Sequence, residues 1–151
     1  MKQMHSMWSK LILMTILSFA AMFGLMYMMV DVVDNIYPNF NQFYMAGAMT
    51  AAMVIIEVAV MGSMYKERRT KVIVIGAGFV ALMMFFLFTR NQTAVSDHDF
   101  LKAMIPHHAG ALLMCKNPKL RDPEIQSLCR SITSGQQSEI DFMKIKLHAF
   151  E

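Results

Sequence analysis

"VIVIGAGFVALMMFFLFTRNQTAVS", residues 72–96, changes character part-way along, and this change decides the fold. Residues 72–89 carry no charge and are nearly long enough, as a helix, to cross a hydrocarbon core of roughly 30 Å. From Arg90 onward the sequence has the composition of an ordinary soluble protein. We therefore expect a membrane-spanning region over residues 1–89 and a separate domain over residues 90–151.

Two more apolar runs precede this one, at about residues 8–30 and 43–65, in a chain of 151 residues that is 56% hydrophobic. Three such runs in succession exclude an ordinary soluble protein and predict three transmembrane helices. The first run is too long for the apolar core of a signal peptide and has no small-residue cleavage site at its end. It is therefore expected to remain as a span, and the lipid bilayer is the first predicted partner.

The charges beside the runs predict an orientation. Lys2 and Lys10 flank the start of the first run, residues 31–42 carry two aspartates and no cation, and residues 66–71 carry four cations. By the positive-inside rule the N-terminus is cytoplasmic and the tail lies outside, which in a bacterium means the inner membrane with a periplasmic tail. This asymmetry accounts for the basic pI near 9. Without interleaved basic and aromatic residues, nucleic acid is not an expected partner.

The tail carries the signals of two helices. Ser96 followed by Asp99 is typical of a helix start, and the helix over residues 97–116 is broken at Asn117. Asp122 and Pro123 then start a second helix, whose apolar residues keep helical spacing to the end of the chain. The expected fold is all-α, with three transmembrane helices followed by an extracytoplasmic αα-hairpin.

Two features of this hairpin suggest more than packing. A single hairpin cannot bury a self-sufficient core, so we expect a homodimer or higher oligomer that completes a four-helix bundle. Pro106, inside the first helix, removes one backbone donor and predicts a kink near residues 102–105. A kink there would change the direction of Met104 relative to the histidines that follow.

The hairpin helices carry soft metal ligands on faces that could meet. At 100° per residue, Met104, His108 and Cys115 share one side of the first helix, with His107 and Met114 at its edge. Cys129, Gln136 and Met143 share a face of the second helix, with Glu139 at the edge. Thioether, imidazole and thiolate donors select Cu(I) or Ag(I), with zinc as a competitor. The alternative is that these residues only fill the core.

Two stretches, "DHDFLKAMIPHHAGALLM" (97–114) and "GQQSEIDFMKIKL" (135–147), resemble the bacterial domain of unknown function numbered 305, whose helical-hairpin members are associated with copper binding and tolerance. The resemblance covers about residues 96–148 and implies a four-helix bundle. It implies metal-associated roles for Met104, His107, His108, Met114 and Met143. Asp97, Gln136 and Glu139 match polar positions that would support the ligands. The three spans are similar to a membrane-anchored subgroup.

The two cysteines depart from this pattern, because small residues are expected at Cys115 and Cys129. Three interpretations stay open: a disulfide across the closed end of the hairpin, two soft-metal ligands, or small core residues. The strict geometry of a disulfide makes the relative height of the two helices decisive.

The second span offers an alternative function. Met49, Met53 and Glu57 lie at four-residue intervals in it, and an acid within a span usually faces a partner or a watery cavity. They would suit a small oligomeric metal transporter or channel, although methionine also packs well between helices. A third possibility is a structural protein that only oligomerises.

The favoured function is membrane-anchored periplasmic binding of Cu(I) or Ag(I), for copper tolerance or handover to other envelope metal-handling proteins. No nucleophile with a base, phosphate loop or acid–base carboxylate pair is evident, so an enzyme is not expected.

Overall fold

The structure, a computed structural model, describes residues 2–65, 67–117 and 119–150. Within these ranges the chain forms five α-helices and no strand, so the predicted all-α class is confirmed. The helices are α1 (Lys2–Leu25), α2 (Phe40–Val60), α3 (Arg68–Arg90), α4 (Asp97–Cys115) and α5 (Pro123–His148).

The chain divides into two compact units, and the first contains α1, α2 and α3. Three segments are long and apolar enough to cross a membrane, with mean hydropathies of 2.1, 1.8 and 2.6: Met7–Met29, Phe40–Val60 and Arg68–Arg90. These agree with the three predicted spans. The second helix ends at Val60 rather than near residue 65, because the chain enters a turn that contains Gly62.

Two glycines allow α2 and α3 to approach closely. A Cβ atom at Gly47 would lie 2.6 Å from the Phe85 ring, and one at Gly78 would lie 2.7 Å from Cγ1 of Ile55. Larger residues at either position would force these side chains apart. The small residues of the second span thus serve helix packing, as is common in membranes.

The second unit contains α4, α5 and residues 26–40. The hairpin is held by an apolar core that α4 and α5 share: Ile105, Ala109, Leu112, Ile140, Met143 and Leu147. Local sequence explains both helix starts. Ser96 and Asp99 form a capping box at α4, and the Asp122 carboxylate accepts from two backbone N–H groups at the start of α5. The predicted hairpin is confirmed.

The loop between α1 and α2, residues 26–40, packs against this hairpin. Val30 and Tyr37 contact its apolar core, and the Lys116 ammonium lies 3.3 Å from an Asp31 carboxylate oxygen. The loop contains two 3₁₀ turns, Met26–Met29 and Val33–Asn35. The hairpin therefore obtains part of its cover from a segment made long before it in the chain, which the sequence did not indicate.

Candidate metal site

His108 is the most enclosed of the candidate ligands on α4, with 8% of its surface exposed. Its Nδ1 lies 2.9 Å from the Met104 carbonyl oxygen, one helical turn earlier. A carbonyl oxygen only accepts, so Nδ1 carries the proton and donates. The ring is thereby fixed in one orientation, with Nε2 directed away from the backbone of α4.

Glu139 of α5 faces that second nitrogen. A carboxylate oxygen lies 2.7 Å from His108 Nε2, although 61% of the Glu139 side chain remains exposed. With Nδ1 donating to the backbone, Nε2 is the ring nitrogen that meets the Glu139 carboxyl group. The polar position suggested for Glu139 is thus directly beside His108, and its exposed side chain is able to move away.

Two thioethers belong to the same hairpin core. Met143 on α5 is 6% exposed, and Met104 is half-buried against the core cluster that contains Met143. Gln136 is half-buried, and its Oε1 atom is buried without a hydrogen-bond donor among the described residues. Gln136 lies seven residues after Cys129 on α5, and His108 lies seven residues before Cys115 on α4. Both are therefore about two helical turns from the end of the hairpin at which the helices are connected.

His107 and Met114 point outward. His107 is exposed, and Met114 is 65% exposed. Within a single chain both therefore lie outside the buried group that contains His108. Asp97 is also exposed, in the first turn of α4.

Cys115 and Cys129 are joined by a disulfide across the closed end of the hairpin, with Cα atoms 5.2 Å apart. Of the three interpretations left open, this is the one that the structure shows. In this state neither sulfur is a thiolate, so the pair does not supply metal ligands. Among the described residues no three His, Cys, Asp or Glu side chains are grouped so that they could hold a metal ion.

Two polar residues of the loop, Asp31 and Asn39, belong to this unit, and sequence reasoning missed Asn39. Burial opposes ionisation of Asp31, yet hydrogen bonds from Asn35 and Lys116 and the charge of Lys116 outweigh it and lower its pKa. The Asn39 amide nitrogen lies 2.9 Å from the Tyr37 carbonyl oxygen and 3.5 Å from that of Lys102. Only Pro106, which deprives the Lys102 carbonyl of its helical donor, hinted that such a residue was needed.

The intramembrane candidates lie on α2. Glu57 accepts a hydrogen bond from the Tyr65 hydroxyl at 3.3 Å, so its carboxyl has a partner within the first unit. Met49 is exposed and Met53 half-buried. For the transporter alternative, the acid Glu57 is therefore hydrogen-bonded to a tyrosine, and Met49 faces out of this unit.

Comparison with known proteins places the hairpin in a family. The family model for a domain of unknown function, DUF305, matches residues 79–147. The chain is also 30% identical over 139 residues to "Uncharacterized protein L153" of Acanthamoeba polyphaga mimivirus, covering 89% of each chain. The chain belongs to the DUF305 family.

The DUF305 match begins inside α3 and includes every hairpin residue proposed from the resemblance, from Asp97 to Met143. It does not reach the loop of residues 26–40. The similarity to the viral protein extends over more of the chain, because it covers 89% of both sequences. No solved structure matches this chain.

Proposed function

We propose that this DUF305 protein binds a soft metal ion, Cu(I) or Ag(I), at His108. The observation that supports this most is the anchored ring of His108: Nδ1–H donates to a backbone carbonyl, so Nε2 is the nitrogen available to a metal. Histidines that ligate metals usually donate their other N–H to a carbonyl or carboxylate in this way.

The surrounding donors favour a soft ion. The sulfurs of Met104 and Met143 belong to the core beside which His108 is buried, and thioethers remain uncharged at all pH values. With the cysteines in a disulfide, the donors left near His108 are imidazole and thioether rather than thiolate. That combination suits Cu(I) and Ag(I) better than Zn(II). The unpaired Gln136 oxygen, at the same height in the hairpin, would support the site from α5.

A bound metal ion would displace Glu139 from His108. A Glu139 carboxylate oxygen lies 2.7 Å from His108 Nε2, and a metal ion bound at Nε2 would replace that hydrogen bond. The exposed Glu139 side chain then stays close enough to balance the positive charge of the ion. This makes Glu139 a supporting residue and not a required ligand.

A second copy would complete the bundle. Phe100, His107 and Met114 recur at seven-residue spacing on α4, and Leu128, Gly135 and Phe142 do so on α5. The large apolar members of both series are exposed in the single chain. We propose that these two series form the surface on which a second hairpin packs, which buries them and brings His107 and Met114 near ligands from the partner.

We further propose that the hairpin lies outside the cytoplasm. Residues 26–40 pack with the hairpin, and two candidate spans, α2 and α3, separate the loop from the tail. An even number of crossings leaves both on one face of the membrane. The charge asymmetry assigns that face to the outside, which in a bacterium is the periplasm, where the bound ion would be available to other metal-handling proteins.

Metal titration of the full-length protein in detergent, anaerobic and with Cu(I), Ag(I) and Zn(II), tests the proposal. His108→Ala should abolish tight Cu(I) binding, and Met143→Leu, which removes the sulfur but keeps the bulk, should weaken it by at least about tenfold. His148→Ala and Met64→Leu are the matched controls and should bind like the wild type. Equal Cu(I) binding by wild type and His108→Ala, or tighter binding of Zn(II) than of Cu(I), would refute it.

A further inference from the structure

Pro106 leaves one carbonyl of α4 without its helical donor. The helix continues without interruption through Pro106, from Asp97 to Cys115. Since proline has no N–H, the Lys102 carbonyl four residues earlier receives no bond from position 106. An unpaired backbone carbonyl next to a buried core is costly, and it allows the helix to bend there.

A side chain from the first loop takes the place of that donor. Asn39 is buried, and its amide group lies within hydrogen-bond distance of two carbonyl oxygens, those of Lys102 and Tyr37. One NH₂ group carries two protons, so it is able to donate to both. Asn39 thereby connects α4, at the carbonyl that Pro106 leaves without a helical donor, to the backbone of the loop.

The rest of the loop keeps Asn39 in place. Tyr37, two residues earlier, packs against the hairpin core, as does Val30. The loop backbone at Met29 lies close to Gly110, where an added Cβ would be 3.5 Å from the Met29 carbonyl oxygen. The ion pair of Asp31 with Lys116 holds the loop near the other end of α4. The amide of Asn39 is therefore presented to α4 by a segment that contacts the helix at several points.

The position of Pro106 gives this contact a consequence for the ligands. Met104 precedes Pro106 and His108 follows it, so the angle of the helix there sets the thioether relative to the imidazole. We propose that Asn39 is a positioning residue of the metal site, which acts through the Lys102 carbonyl to fix that angle. This inference rests on the proposed function, and it concerns a residue outside the segment that the family model matches.

A double-mutant cycle on the full-length protein in detergent tests it, with Cu(I) affinity as the readout. Asn39→Ala should weaken Cu(I) binding about fivefold, the effect of one lost hydrogen bond. Pro106→Ala restores an N–H to the Lys102 carbonyl and makes the asparagine dispensable. In the Pro106→Ala background, Asn39→Ala should then change the affinity less than twofold. A purely structural role of the loop would give the same loss in both backgrounds.

Gln126→Ala is the matched control, because it removes a side-chain hydrogen bond of the hairpin, to the Leu120 carbonyl oxygen, without touching the loop or the Lys102 carbonyl. It should lower the melting temperature but leave the Cu(I) affinity within twofold of the wild type. If Asn39→Ala does not yield folded protein, Asn39→Ser, too short to reach Lys102, replaces it in the cycle.

The outcomes separate the two proposals. In one outcome, His108→Ala abolishes Cu(I) binding, but Asn39→Ala binds Cu(I) like the wild type or lowers the affinity equally in both backgrounds. The proposed role of Asn39 is then wrong, and the metal site stands. If His108→Ala also binds like the wild type, the proposed function fails. Amide hydrogen exchange of residues 103–108, measured in the same four variants, then decides whether Asn39 fixes the angle of α4 at Pro106. Non-additive effects on the exchange rates support that role, and additive effects overturn it.

Discussion

At the residue scale, the two nitrogens of His108 play different parts. Nδ1 donates to the Met104 carbonyl oxygen, and Nε2 lies 2.7 Å from a Glu139 carboxylate oxygen. A metal ion at Nε2 would replace the contact with Glu139, whereas the bond of Nδ1 to the backbone would hold the ring in place.

At the element scale, the start of α4 depends on two residues, Ser96 and Asp99. The Ser96 hydroxyl accepts from the Asp99 backbone N–H and donates to the Asp99 carboxylate, while the Ser96 N–H donates to that carboxylate too. The hydroxyl bond is the main cause of the lowered pKa of Asp99, with burial opposing it. The ionised carboxylate thus contributes to the stability of the first turn of α4, four residues or more before the proposed ligands.

Ser96→Ala should lower the free energy of unfolding of the hairpin unit by about 1 kcal/mol. Because the pKa of Asp99 is lower in the folded state, its contribution is complete above the unfolded pKa and disappears as the pH falls through the folded one. Denaturant unfolding followed by circular dichroism at neutral and acid pH measures both effects. Ser138→Ala, on an exposed turn of α5, is the control and should cost nothing; equal losses in the two variants would contradict the cap.

The same element shows what a sequence predicts and where it stops. The starts of α4 and α5 follow from Ser96 and Asp122, because an N-cap involves residues within four positions of each other. The face shared by Met104 and His108 follows from helical periodicity. The loop contacts do not, because Asn39 and Lys102 are 63 residues apart: Pro106 marks the Lys102 carbonyl as lacking a helical donor, but nothing local identifies Asn39 as the residue that supplies one. The disulfide stayed undecided for a related reason: it depends on the register between two helices.

At the scale of the whole molecule, the exposed apolar series on α4 and α5 predict self-association. Leu128→Glu places a charge in the proposed interface, where it loses hydration, and should weaken association by at least about tenfold. Mass measurement of the detergent-solubilised protein by light scattering tests this. Ile145→Glu, exposed but off both series, should leave the oligomer intact. A wild type that is monomeric at all concentrations would overturn the bundle.

The packing of residues 26–40 against the tail also has a consequence for biogenesis. The ribosome synthesises this loop some sixty residues before it makes α4. The hairpin on which the loop packs is therefore made only after α2 and α3 have been synthesised. On the proposed topology, failure of either helix alone to cross the bilayer would leave loop and tail in different compartments, and Asn39 would not meet Lys102. Packing of the loop on the hairpin would then depend on the insertion of both helices.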